Sequence, residues 1–395
     1  MNRSTTFLGR NFLGRGARLR HPLTLLLGLW FAVVPVALVA CAQLAAPTPI
    51  VAPPAASLRY GFQVDWGNNY QRAFTMVREA GFGWAKLQVR WADMEPARGQ
   101  TDWAYLDQVV DQARKEGLDL LFSVTAAPRW ARERNADLAH NGPPTDPKTY
   151  GDFVGVLAKR YKGKVAAYEI WNEQNLSRDW GGPGRVKAAE YVALLKEAYK
   201  SIKGADSAAL VITGALTPSG NVAMASMGGE LARDDIEYFR EMYQAGMRGS
   251  FDAVGVHPGG FNNAPDLDPR DQNVLKRPGG FHDHRSFYFR NFELYHEVMT
   301  EQGDKDKQLW FTEFGWASGS GVAAEWGYAN SISEQTQADY LVKAFQVAKG
   351  KGYVGAMFVW NLNFYSTDLA MRAFAVLNPD WSPRPAYRAL ASMAR

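Results

Sequence analysis

Two glutamates stand out by the residues around them. In Tyr168-Glu169-Ile170-Trp171-Asn172-Glu173, an apolar run from Val165 delivers an Asn-Glu pair to what reads as the end of a β-strand. Far downstream, Gln308-Leu309-Trp310-Phe311-Thr312-Glu313-Phe314-Gly315-Trp316 repeats the arrangement: an apolar run, one glutamate, then a glycine and a tryptophan. Carboxylates of this kind work in pairs. One protonates a leaving oxygen, and the other attacks an anomeric carbon or activates water. Taken singly, each glutamate reads equally well as a solvated residue closing a strand, so the case rests on the chain around them.

Bringing two such distant residues together requires strands whose ends converge. From Leu58 to Arg395, short β-rich apolar runs alternate with longer amphipathic stretches, the pattern of βα repeats and a parallel sheet. Strands are predicted at 59–64, 84–89, 119–124, 165–170, 210–213, 251–256, 309–312 and 353–359. Helices are predicted between them at 70–80, 103–116, after Asp146-Pro147, through Tyr191–Ile202, near 234–243, at 285–301, from Ser331 to Gly350 and at 385–393. In the seventh, Ser331 and Glu334 have capping-box spacing. Eight such units close a single (β/α)8 TIM barrel of the α/β class, and an α/β barrel fills this length as one domain. Its active site belongs at the C-terminal ends of the strands. Arg90, Asn172, Glu173, His257, Glu313 and Trp360 all fall at such ends.

The chain before the barrel reads differently. Residues 1–20 carry five arginines and no acid, and Pro22 to Ala40 is almost unbroken apolar sequence, together an export signal. Leu38-Val39-Ala40-Cys41 resembles the lipobox of bacterial lipoproteins, which implies lipidation of Cys41. Ala40-Cys41-Ala42 also suits ordinary signal cleavage, and the apolar run is long enough to span a bilayer uncleaved. Residues 1–41 are therefore read as the export signal and 42–57 as a Pro/Ala-rich tether that stands the domain off a membrane surface. Cys41 is the single cysteine, which excludes disulfides within the chain. Beyond residue 57 there remain 39 basic and 40 acidic side chains, so the net charge is −1 and nothing in it calls for nucleic acid.

Trp171-Asn172-Glu173, Thr312-Glu313-Phe314-Gly315-Trp316 and Phe358-Val359-Trp360-Asn361 together resemble clan A of the glycoside hydrolases, most closely families 5 and 39. The resemblance covers residues 58–395. It implies Glu173 as acid/base and Glu313 as nucleophile, about 5–5.5 Å apart as in retaining enzymes. The charge of Glu313 is then expected to keep Glu173 protonated. Asn172 would bind the sugar 2-hydroxyl, Arg90 would lie beneath the nucleophile, His257 matches a strand-six histidine, and Trp360 would form the floor under the sugar. Strand alternation alone would point Asn172 and Glu173 to opposite faces, so the strand must end or bulge there. Two departures are plain: Gly259 stands where family 5 has a tyrosine touching the nucleophile, and Thr125-Ala126-Ala127-Pro128 replaces a common strand-three histidine.

The expectation is an exported retaining hydrolase of β-linked sugars, in the manner of a β-glycosidase, xylosidase or glucanase, using no cofactor and no metal. Its partner would be an oligo- or polysaccharide, with a membrane contact through the N-terminal lipid or anchor. The alternative is a carbohydrate-binding barrel that has lost turnover. Trp66, Trp91, Trp130, Trp180, Trp316 and Trp326 are read as stacking surfaces for sugar rings. His282-Asp283-His284 has the look of a metal pair but lacks a third ligand, and no Gly-x-Ser-x-Gly elbow or phosphate loop is present.

Overall fold

Eight short strands, buried almost throughout because both their faces are covered, close a parallel barrel. In the computed structural model these are β1 (Arg59–Gln63), β2 (Trp84–Arg90), β3 (Asp119–Thr125), β4 (Ala167–Ile170), β5 (Leu210–Thr213), β6 (Ala253–Val256), β7 (Gln308–Phe314) and β8 (Val354–Val359). Each pairs with its sequence neighbours, and β1 closes the ring against β8, for example Phe62 against Val359. The structure describes residues 58–224, 229–277, 281–319, 324–364 and 369–395. The expected signal, lipobox and tether lie outside them.

The interior is layered because side chains on a strand repeat every second residue. Trp84, Leu121, Ala167 and Trp310 belong to an apolar cluster inside the ring, with Trp84 set edge-on to Trp310 at 5.4 Å. Two residues further along the same strands, Lys86, Ser123, Glu169 and Thr312 form a fully buried polar layer. The barrel therefore passes from hydrocarbon to charge within one step of each strand.

The outer helices are α1 (Tyr70–Glu79), α2 (Ala104–Lys115), α3 (Pro147–Arg160), α4 (Ala188–Ala205), α5 (Asp235–Gln244), α6 (Phe292–Glu301), α7 (Glu334–Lys349) and α8 (Pro385–Ser392). Their starts follow local chemistry. Asp146 accepts from the Lys148 N–H ahead of the first-turn proline of α3, and α4 buries the stripe Tyr191, Leu194, Leu195, Ala198 and Ile202.

Two helix starts differ from the sequence reading for a local chemical reason. Helix α7 is capped by Ser333, which accepts from the Thr336 N–H at 3.0 Å; Ser331 instead donates to the Tyr328 carbonyl. The helix expected from Arg285 starts only at Phe292, after two 3-10 turns. There Ser286 and Asn291 turn their side chains onto Asp235. A hairpin, Val222–Met224 with Gly229–Ala232, follows β5 and has no counterpart in the sequence reading. Among the described residues no helix is long and apolar enough to cross a membrane.

Candidate active site

The polar layer is where the site begins. Lys86 on β2 reaches across the barrel to two carboxylates, Glu313 Oε1 at 2.8 Å and Glu169 Oε2 at 3.2 Å. Glu169 is also held by the Thr312 hydroxyl at 2.6 Å and the Ala215 N–H at 3.2 Å. Burial works against the Lys86 charge, but the two glutamates outweigh it and hold its pKa above the ordinary lysine value.

Thr312 and Glu313 are adjacent yet both serve the interior, which a regular strand forbids. The register explains it. Met357 pairs with Phe311 and Val359 with Phe314, so β7 takes three steps where β8 takes two. This bulge turns the extra residue inward.

On the opposite side, β4 ends at Ile170, and Trp171 and Glu173 both adopt left-handed backbone, with φ of 73° and 51°. That break in alternation is what the Asn172-Glu173 pair requires. Gln174 and Asn175 fix the turn: Gln174 donates to the Gly214 carbonyl, and Asn175 to the Thr217 and Arg233 carbonyls. The Asn172 Oδ1 is buried with no hydrogen-bond partner in the protein, an acceptor open to a ligand donor.

Glu173 and Glu313 face each other, each 15% exposed. His257, just past β6, lies between them: its Nδ1 is 3.2 Å from Glu173 Oε1 and its Nε2 is 4.0 Å from Glu313 Oε2. One donor atom from each of Glu173, His257 and Glu313 lies within 4.8 Å of the other two. Such a trio has metal-ligand types, but cations already occupy its flanks, with Lys86 on Glu313 and Arg178 on Glu173. The spacing suits two carboxylates acting on one small group.

Arg178 NH2 donates to Glu173 Oε2 at 2.7 Å, and its Nε donates to Asp179 Oδ2 at 2.9 Å. Burial alone would raise the Glu173 carboxyl, but the His257 hydrogen bond and the Arg178 charge outweigh it and hold it well below the ordinary carboxylate range. These partners favour the carboxylate form of Glu173 in the resting site, against the direction that the charge of Glu313 alone would give. Asp179 moves the other way, raised by burial and by the charge of Glu173.

The remaining expectations divide. Arg90 does not lie beneath Glu313. Its Nε pairs with Asp93 at 3.1 Å and its NH1 donates to Asn141 at 3.3 Å, out at the rim. Lys86, four residues earlier and facing inward, supplies the cation instead. Trp360 follows β8, half-buried, with its ring 4.6 Å from Phe374. Its carbonyl packs where a Cβ on Gly315 would sit, which ties the ends of β7 and β8 together. At Gly259 a Cβ would collide with the Ser286 carbonyl, so the tyrosine of the family pattern has no room here.

The tryptophans expected to stack on sugars are largely structural. Trp91, Trp180 and Trp316 are fully buried, and the indole N–H of Trp91 is spent on Glu95 and that of Trp316 on the Asn263 carbonyl. Trp66 and Trp130 remain half-buried at the rim, and the side chain of Trp326 lies outside the described residues. His282 bonds Asn263 and His284 pairs with Asp234, so each has a structural partner.

Lys86, Glu169, Thr312 and Arg178 escaped the sequence reading. The first two had a signal: each is a charged residue at the inward phase of an apolar strand, which a core tolerates only when paired. Arg178 had none, because its reach to Glu173 depends on a loop conformation.

A family model described as Cellulase (glycosyl hydrolase family 5) matches residues 52–366. A search of curated proteins gave no match. Among solved structures, a family 39 glycoside hydrolase from the gut symbiont Bacteroides cellulosilyticus WH2 superposes with a TM-score of 0.61 at 22% identity, over 85% of this chain and 63% of that one. The chain thus spans less than two thirds of that protein. GH5_18 from Streptomyces cattleya, solved in complex with GlcNAc, gives 0.61 at 14% identity over 85% and 79%. Native xylanase 10B from Thermotoga maritima gives 0.52 at 16% over 85% and 94%. At these identities the likeness to solved structures is one of fold.

Proposed function

Since the chain belongs to glycoside hydrolase family 5, we propose that it cleaves β-linked oligo- or polysaccharides with retention, using Glu313 as nucleophile and Glu173 as acid/base. The observation that carries this reading is the placement of the two carboxylates, with oxygens within 4.8 Å of one another across His257. Retaining enzymes hold their pair at about 5–5.5 Å, whereas inverting ones leave about 6.5–9.5 Å for a water. Lys86 favours Glu313 as the nucleophile, since a buried ammonium stabilises the carboxylate form that must attack. Asn172, with its unpartnered Oδ1 beside Glu173, is placed to accept from a sugar hydroxyl.

In the first step a Glu313 oxygen bonds the anomeric carbon as the glycosidic C–O bond breaks, and Glu173 gives its proton to the leaving oxygen. In the second, water replaces Glu313 at that carbon and returns a proton to Glu173. A panel of aryl β-glycosides tests the reading. Chromophore release by the wild type, lost in Glu313→Gly and restored as an inverted glycosyl azide by added azide, supports it. Binding without release would favour a barrel that holds sugar without turning it over.

We also propose that the barrel is exported and held at a membrane through a lipid on Cys41, on the strength of Leu38-Val39-Ala40-Cys41. A single acyl chain gives only marginal anchoring, so the modification would have to carry more than one.

A further inference from the structure

The proposed mechanism asks Glu173 to do two opposite things, and the resting structure favours one of them. To act as acid it must carry a proton aimed at the leaving oxygen. To act as base it must be a carboxylate when water attacks. Both of its oxygens are engaged. Oε1 faces His257 Nδ1 at 3.2 Å, and Oε2 accepts from Arg178 NH2 at 2.7 Å. An O–H on Oε2 and the Arg178 N–H are both donors and cannot share that line. A proton on Oε1 would point at the imidazole rather than at a substrate. While Arg178 stays in place, one lone pair on each Glu173 oxygen is taken and the guanidinium charge opposes a proton on those that remain.

Arg178 is built to leave without being lost. Its side chain is 66% exposed, on the single 3-10 turn Ser177–Asp179. Its Nε bond to Asp179 is independent of Glu173. Asp179 is in turn held by Asn141, whose Nδ2 donates to Oδ1 at 3.1 Å, and Asn141 accepts from Arg90. The rim residues Arg90 and Asn141 thus brace the anchor of Arg178, a role for Arg90 quite different from contact with Glu313.

We propose that Arg178 is a positioning residue that divides the two half-reactions. Displaced from Oε2 when the leaving group is seated, it lets Glu173 carry the proton. Back on Oε2 after the leaving group departs, it holds Glu173 as the carboxylate that activates water. The idea rests on the retaining reading given above. The charged and titratable groups that face Glu173 are Arg178 and Asp179 from the turn, His257 from the end of β6 and Glu313 from β7, itself paired with Lys86. Of these, Arg178 is the exposed one, while Asp179 on the same turn is largely buried.

The test begins without any sugar. With carboxyl-13C-labelled glutamate, and Glu173→Gln to assign the signal, the pH titration of Glu173 is read by NMR in the wild type, Arg178→Gln and Arg178→Lys. Arg178→Gln is expected to raise the Glu173 titration by about one unit, the low end of the range for a charge partner because the guanidinium is exposed. Arg178→Lys should return it toward the wild type. A 2,4-dinitrophenyl β-glycoside chosen from the gluco, xylo, manno and galacto forms then reports the second step. In Arg178→Gln the acid limb of kcat should move upward with the titration, and below it a burst of dinitrophenol should appear, because there the glycosyl-enzyme waits on a Glu173 that is protonated and cannot act as base. With a phenyl glycoside, which needs the acid, the alkaline limb of kcat/KM should move upward with the titration. An unmoved Glu173 titration in Arg178→Gln would overturn the proposal, as would an unmoved alkaline limb. If no glycoside is cleaved, the retaining reading fails, while the titration still decides whether Arg178 governs the protonation of Glu173.

Discussion

At the scale of single residues, the site is a row of charges arranged so that none is left alone. Lys86 is wholly buried and bonded to two carboxylates, Glu169 being equally buried. Removing one partner from such a set leaves an uncompensated charge in a low-dielectric interior. Lys86→Met should therefore cost about 3–5 kcal/mol of unfolding free energy, the usual result of breaking a buried pair. Urea unfolding checks this. A loss under about 1 kcal/mol, the scale of a surface pair, would mean that the glutamates find other partners or take up protons. The same residue shows how far the sequence could be read. Glu173 and Glu313 were legible because each ends a strand beside recognisable neighbours. Arg90, at a strand end, matches the family's arginine and so reads as the cation. Lys86 was passed over because it sits in mid-strand, where only the two-residue phase reveals that it shares the inward face with Trp84.

At the scale of elements, small departures from regularity do the positioning. The bulge in β7 turns both Thr312 and Glu313 inward, and the left-handed turn after β4 does the same for Glu173. The Asn172-Glu173 pair demands a break after β4, but nothing in the sequence marks the bulge, because a bulge is a matter of register between two strands. The aromatic loops mislead for a related reason: Trp91 and Trp180 follow strands, yet the loops fold back and bury them.

The long connection after β6 is pinned by a buried acid at the start of α5. Asp235 accepts from Ser286, from Asn291 at 3.2 Å and from Tyr295 at 3.0 Å. Burial pushes its pKa up from the ordinary 3.8 to about 7. The folded protein therefore keeps this proton where the unfolded chain has lost it. Between about pH 4 and pH 7 stability falls as pH rises, and the loss is complete above pH 7. Asp235→Asn, which mimics the protonated form, should gain stability relative to the wild type at pH 8 and little at pH 4.5. Urea midpoints at the two pH values check this. An equal difference at both would show that Asp235 does not titrate in this window.

At the scale of the whole molecule, two parts of the chain were legible for opposite reasons. The eight units of the barrel were readable because their repeat is a pattern of hydrophobicity punctuated by helix caps, while the hairpin after β5 left no such mark. The leader was readable by composition, as a basic segment, an apolar run and a cysteine. On the lipid reading, the protein expressed in a bacterial host takes up labelled palmitate and fractionates with membranes, and Cys41→Ser abolishes the labelling. A wild type without label would leave ordinary cleavage or an uncleaved anchor.

What lies between these scales is the claim that one barrel mouth holds two glutamates at the spacing of a double displacement. The most direct measurement is proton NMR of the first sugar released from an aryl β-glycoside, recorded before mutarotation. The account predicts the β-anomer, with configuration retained. An α-anomer would require a water between the carboxylates at the moment of attack, and would contradict it.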